Sequence, residues 1–265
     1  MNFAFYKITT KSNTHVGSGQ NNYGIVDNIV QKDYLTEFPC INSTSLKGAL
    51  REYVEEIIKD DNLATTIFGS KPTEKDNSKL SQGSHYFHQA FLLSFPMRSN
   101  TTQFFNATCP LILQDVKLAL ETCNKETNKD LIYEIDELLK ITIEPNNPIS
   151  DTKPDAIIEK HGIKTNKTEI SFSANLKSIF GNPLIIMHND TFQEIVKKLP
   201  IITRNQLENG QSANLFYEEV VPRETRFGFL LAANSINDRF DAIKSFQIGA
   251  NATVGYGYCS LNKIV

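Results

Sequence analysis

Apolar and polar positions alternate first at the N-terminus. Residues 2–10, NFAFYKITT, set Phe3, Phe5, Lys7 and Thr9 against Ala4, Tyr6 and Ile8, which predicts an opening β-strand. The stretch from His15 to Asn28 is rich in Gly and Asn and reads as a loop, followed by an extended piece over 29–34. Residues 43–59 then change period. Leu46, Ala49/Leu50, Tyr53/Val54 and Ile57/Ile58 recur at helical spacing, with Ser43, Thr44 and Ser45 as acceptable N-caps and Lys47 and Arg51 together on another face. The polar stretch 70–84 predicts an excursion from the core, and 86–96 a buried strand ending at Pro96.

The second half is more broken. A mainly helical pattern over 111–140 stops at the prolines and asparagines of 145–154. Short strands are expected at 169–172 and 184–187, then a helix over 190–199 capped by Asp190. Asn209-Gly210 is a hairpin-tip dipeptide, with strands at 215–221 and 226–233 beyond it. A helix near 237–244 leads to a closing strand pair around Gly249, Gly255 and Gly257. No fixed-period repeat is present. Irregular interleaving of this kind predicts an α+β fold built on one elaborated sheet.

Composition narrows the class. A chain of 265 residues suits one large domain or two small ones. Its hydrophobic fraction of 40% and charged fraction of 22% are those of a globular protein. No apolar run reaches the ~20 residues of a membrane span, and the first residues do not read as a secretory signal. Four scattered cysteines without a CxxC pair fit free thiols in a reducing cytosol, so a cytoplasmic location is expected. The formal charge of −3 argues against a non-specific polyanion binder. That total is uneven, however. Residues 111–160 hold 11 acidic and 6 basic side chains, a local −5, so the remainder nets +2 and any polyanion surface belongs there.

Five stretches then stand in a distinctive order: HVGSG with GIVDNIVQKD (15–33), STSLKGALR (43–51) with IFG (67–69), LLSFPMRS (92–99), LFYEEVVPRET (215–225) and IGANATVGYG (248–257). Together they resemble the RAMP superfamily of CRISPR–Cas proteins. The third and fourth look like the repeated backbone subunit of the type III-B effector, the Cmr complex; the related type III-A backbone subunit is the alternative. Two departures stand out. The family usually has a Pro-Gly or Gly-Ser turn before the SLKGALR helix, where this chain has Ile41-Asn42-Ser43-Thr44, with Asn42 expected to supply a left-handed backbone. Near the closing loop it usually has Gly-Gly-Asp, against Gly249-Ala250-Asn251 here.

The resemblance implies a single RAMP domain over 1–265: an RRM-like (ferredoxin-like) palm, a fingers segment with insertions near 70–84 and 111–170, and a thumb β-hairpin near 200–225. It implies partners as well: a CRISPR guide RNA, a single-stranded target RNA, further copies of the chain in a helical filament, and other type III effector subunits. It implies endonucleolytic cutting of the target at regular intervals with a divalent metal ion, Mg2+ or Mn2+. Asp27 is the candidate catalytic and metal-binding carboxylate, although an Asp beside an Asn in a loop is also a turn former. His15 is a candidate acid–base or RNA contact, or a loop-holding residue, and Glu224 a candidate helper or an ion-pair partner of Arg223 or Arg226. The RNA-binding candidates are Ser45, Lys47 and Arg51 at a helix start, together with Arg98, Arg204, Arg223, Gly255 and Gly257. Leu207 is the candidate thumb wedge. A subunit that binds RNA without cutting it remains the other reading. His85 and His88 read poorly as zinc ligands, because a strand would aim them at opposite faces.

Overall fold

The computed structural model describes residues 1–20, 24–71, 80–151, 156–158, 162–167 and 171–265, with the side chains of Gln20, Asn166, Lys167 and Leu207 also outside the description. The chain opens with β1 (Asn2–Thr10), then β2 (Gly17–Gln20) and β3 (Asn28–Val30). Helix α1 (Ser43–Glu52) runs into a π-helical turn at Tyr53–Ile58, and Lys59, at φ 57°, breaks the chain before α2 (Asp61–Phe68). The predicted 43–59 helix is therefore real but widens in its last turn. Helix α2 went unpredicted; at eight residues it is too short for a periodic signal, yet Asp60 caps it by accepting from the Leu63 amide at 2.8 Å.

The predicted 86–96 strand is two, β4 (His85–Phe87) and β5 (Phe91–Arg98), both antiparallel to a later strand. Then come β6 (Phe104–Thr108), α3 (Pro110–Asn124) and α4 (Lys129–Leu139). Four two-residue strands follow, β7 (Ile149–Ser150), β8 (Ile157–Ile158), β9 (Ile163–Lys164) and β10 (Asn166–Lys167). Most of the polar excursion expected at 70–84, and half of the strand expected at 169–172, lie outside the described residues. Helix α5 (Ala174–Phe180), β11 (Leu184–Ile186) and α6 (Asn189–Val196) follow. The cap of α6 is His188, whose ring accepts from the Asp190 amide at 3.3 Å, rather than Asp190 itself.

The chain then makes the hairpin β12 (Ile201–Glu208) and β13 (Gln211–Glu219), and closes with β14 (Arg226–Ala233), β15 (Ser245–Gln247) and β16 (Tyr258–Lys263). The helix expected near 237–244 is a single 3-10 turn at Phe240–Ala242.

The main sheet runs β10-β7-β11-β6-β5-β14-β1-β16-β15, with β4 also on β14. Within it β1 is hydrogen-bonded antiparallel to β14 on one side and β16 on the other. The alternation in β1 predicted a strand, and the strand is covered on both faces. Ala4, Phe5, Tyr6 and Ile8 are all buried, because packing elements, among them α3, cover the strand. Gly228 in β14 leaves room for the Phe5 ring, which a Cβ would approach to 2.8 Å.

A second sheet, β12-β13-β3-β2, joins the 201–219 hairpin to the segment after His15. Asn209 (φ 52°) and Gly210 (φ 82°) turn the hairpin as their sequence predicts. Its described side chains are exposed or half-buried up to Tyr217, while Glu218 and Glu219 are buried, so it is anchored at its base.

Candidate nucleic-acid interface and cleavage loop

A groove of about 480 Å³ lies between α1, the strand entered at Gly17, and the glycine-rich closing loop. Glycine is required at two positions of that closing loop. A Cβ on Gly249 (φ 87°) would sit 2.2 Å from the His15 carbonyl oxygen, and one on Gly257 (φ 74°) 1.9 Å from that of Ile248. Gly255 also has positive φ, at 85°, but faces open space, so a chain can approach its backbone there. Of the two candidate glycines, Gly257 serves packing and Gly255 leaves room.

The start of α1 is held by a residue that the sequence did not flag. Gln31, 8% exposed, accepts from the Asn42 amide at 2.7 Å and donates to the Ser45 hydroxyl at 2.9 Å and the Gly17 carbonyl at 3.1 Å. Asn42 is the N-cap residue at φ −59°, so it does not supply the left-handed turn expected of it, and its side chain makes no cap. Ser45 thus faces the groove with its hydroxyl tied to Gln31.

Lys47 and Arg51 lie off the groove, whose α1 wall is Ser45, Ala49, Glu52, Tyr53 and Glu56. The guanidinium of Arg51 is engaged by Glu55 at 2.8 Å, which also takes Lys71 at 2.5 Å. These two cations hold the Glu55 carboxyl below the usual carboxylate range against the opposing effect of desolvation. Lys47 and the exposed Arg223 have no ion-pair partner among the described residues. Arg98 is exposed at the end of β5.

Asp27 is exposed on the loop leading into β3. Its amide donates to the Tyr217 carbonyl at 3.1 Å, and its Oδ2 accepts from the Tyr217 amide at 2.8 Å. The next residue, Asn28, pairs with Glu218 in the ladder. The loop is therefore stitched to the base of the hairpin, and among the described residues nothing is hydrogen-bonded to Asp27 Oδ1.

His15, by contrast, is 4% exposed. Its Nδ1 lies 2.7 Å from the Glu219 carbonyl and its Nε2 3.8 Å from Glu218 Oε1, so it pins the loop from behind. Glu219, also buried, takes the Val30 amide at 3.2 Å and Lys32 at 2.9 Å. Glu224 sits at φ 69° and pairs with Lys11 at 3.2 Å and Arg226 at 3.6 Å, not with Arg223. No hydrogen bond or ion pair joins Glu224 to Asp27 among the described residues. Arg204 is bound inward to Glu218 and Asn251. Leu207 lies at the register shift of the hairpin, its side chain outside the described residues.

Among the described residues no three His, Cys, Asp or Glu side chains gather as a metal cage. Asp27 still offers one hard oxygen without a hydrogen-bond partner among the described residues, which suits a Mg2+ or Mn2+ ion that keeps waters and binds substrate phosphate. His85, buried, accepts from the Asn237 amide at 3.1 Å, and the ring of His88 lies 6.4 Å from that of Phe3.

Comparison with known proteins agrees with the fold. The RAMP superfamily profile matches residues 7–260. The chain belongs to the RAMP superfamily. This RAMP chain is 31% identical over 280 residues to the CRISPR system Cmr endoribonuclease Cmr4 of Pyrococcus furiosus, covering 95% of this chain and 92% of that protein. It is similar in fold to a subunit of the type III-B Cmr-beta complex in its apo state, with a TM-score of 0.81 at 21% identity over 100% of this chain and 99% of that one. It is likewise similar to oligomeric Cmr4 from Pyrococcus furiosus, with a TM-score of 0.69 at 23% identity over 99% and 98%. No helix among the described residues is long and apolar enough to cross a membrane.

Proposed function

We propose that this RAMP chain is a guide-RNA-binding backbone subunit of a type III-B CRISPR effector and cuts the target RNA with its Asp27 loop. The observation that carries the reading is an exposed carboxylate on a loop stitched to the base of a projecting hairpin. Support comes from the 31% identity to an endoribonuclease over nearly the whole chain, and from fold likeness to a Cmr-beta subunit bound to cognate target RNA. The same likenesses support copies of the chain stacking along one guide, with other effector subunits, in the cytoplasm.

The chemistry follows from the loop. A target nucleotide displaced by the hairpin presents its 2′-OH beside the scissile phosphate; Asp27 Oδ1 accepts that proton as the 2′ oxygen attacks phosphorus, the P–O5′ bond breaks, and the products are a 2′,3′-cyclic phosphate and a 5′-hydroxyl protonated from solvent. The Tyr217 amide holds Oδ2 and fixes which oxygen faces the substrate. A divalent ion held by Asp27 would neutralise charge at the phosphate. Lys47, Arg223 and the open backbone at Gly255 are the remaining groups suited to the guide strand. In the binding-only reading, the bond between Asp27 and Tyr217 is a loop anchor and nothing more. A target with a single 2′-deoxy nucleotide at one cut position separates the readings. Loss of that cut alone, together with loss of all cuts in Asp27→Ala, supports the chemistry. Cutting that survives both changes overturns it.

A further inference from the structure

We infer that Arg204 is a positioning residue: with Glu218 and Asn251 it clamps the hairpin to the glycine-rich closing loop, and so sets where along the target each cut falls. The inference rests on the cleavage reading above. Its geometry is a closed triangle. Arg204 Nε meets Glu218 Oε2 at 3.2 Å, and Nη1 donates to Asn251 Oδ1 at 2.8 Å. Asn251 Nδ2 returns to both Glu218 oxygens at 3.1 and 3.0 Å. The guanidinium carbon also lies 5.0 Å from the centre of the Tyr256 ring, so two residues of the closing loop hold one cation of β12. The Glu218 side chain is 4% exposed and that of Arg204 22%, so the pair is largely withdrawn from solvent.

The clamp has leverage because the hairpin beyond it is mostly exposed. From Arg204 to the turn at Asn209 is five residues, or roughly 17 Å of strand at ~3.3 Å per residue. A tilt of about 10° at the clamp then moves the tip by ~3 Å, close to the ~3.4 Å step between nucleotides on one strand. Asn251 sits at φ 66°, where glycine is equally at ease, so its side chain can be removed without backbone strain.

The test uses the assembled complex with guide RNA and an end-labelled target, comparing wild type with Asn251→Gly, Arg204→Gln and the double variant. Unchanged guide affinity, cut positions spread over neighbouring nucleotides, and a double variant no worse than the stronger single one are expected. Sharp cuts in Asn251→Gly, with guide affinity weakened only in Arg204→Gln, would make Arg204 an RNA contact and overturn the inference. If Arg204→Gln does not assemble, Asn251→Gly alone decides, with spread cuts supporting the clamp and sharp ones refuting it. Cutting that is indifferent to Asp27→Ala defeats the cleavage reading and this inference with it. Asp27-dependent cutting that stays sharp in every variant defeats the inference alone.

Discussion

Replacing Glu218 by alanine probes the joint on which the hairpin, the closing loop and the pre-β2 segment converge. The change removes a buried carboxylate and strands its partners: Arg204 at 3.2 Å, the Asn251 amide at 3.1 and 3.0 Å, and the His15 ring at 3.8 Å. Breaking a fully buried ion pair costs about 3–5 kcal/mol. Arg204 keeps 22% of its side chain in solvent and can turn to water, which brings the expectation down to ~2–4 kcal/mol. For a domain of this size each kcal/mol shifts Tm by roughly 2–3 °C, so Tm should fall by about 4–12 °C. Scanning calorimetry or fluorescence-monitored unfolding of the purified chain measures it. Glu208→Ala, exposed near the hairpin tip, is the control and should move stability by no more than ~0.5 kcal/mol. A fall in Glu218→Ala no larger than the control's would show that the buried carboxylate does not hold the joint.

Three comparisons follow from other parts of the structure. Gly249→Ala should abolish or severely weaken folding, since its Cβ would sit 2.2 Å from a carbonyl oxygen. Gly255→Ala faces open space and should cost only about 1 kcal/mol for its positive φ, so equal Tm losses in the two would refute the assignment. Burial, then Arg226 and Lys11, lower Lys7 to about 8, so below that pH the fold holds a disfavoured charge that the unfolded chain carries freely. Any stability gained by Lys7→Met should therefore be largest below pH 8 and shrink as pH rises toward the unfolded value of ~10.4. A difference between variant and wild type that stays flat from pH 7 to 10 would contradict this.

How much of this was legible in the chain depends on range. β1, the start of α1 and the Asn209-Gly210 hairpin follow from local period and turn chemistry, and all three stand where the pattern put them. The short elements β6, α2 and α5 carry too few residues to show a period. The order of the main sheet depends on partners far apart in the chain, such as Asn2 with Ala233, which no window of sequence contains. Site residues divide along the same line. Asp27 was readable as an acid in a glycine-flanked loop, but its stitching to Tyr217 across 190 positions was not. Arg204 and Arg51 read as free cations because an arginine in sequence shows no partner; the fold gives each a carboxylate. His15 read equally as an acid–base or RNA contact and as a loop-holding residue, and its ring, hydrogen-bonded under the hairpin base, takes the second part. Gln31 was missed, and Glu218 was not read as a buried residue. For Glu218 a signal existed, two adjacent acids inside the otherwise apolar LFYEEVV, where strand alternation must bury at least one of them.

The account stands or falls on one side chain. The decisive measurement is single-turnover cleavage of an end-labelled target by the guide-loaded complex assembled with Asp27→Asn, beside guide and target affinities for the same assembly. Asn keeps the size of Asp27 but cannot take up the 2′-OH proton as a carboxylate does. The account predicts unchanged binding with the ladder of products lost, whereas a wild-type ladder at a wild-type rate would contradict it.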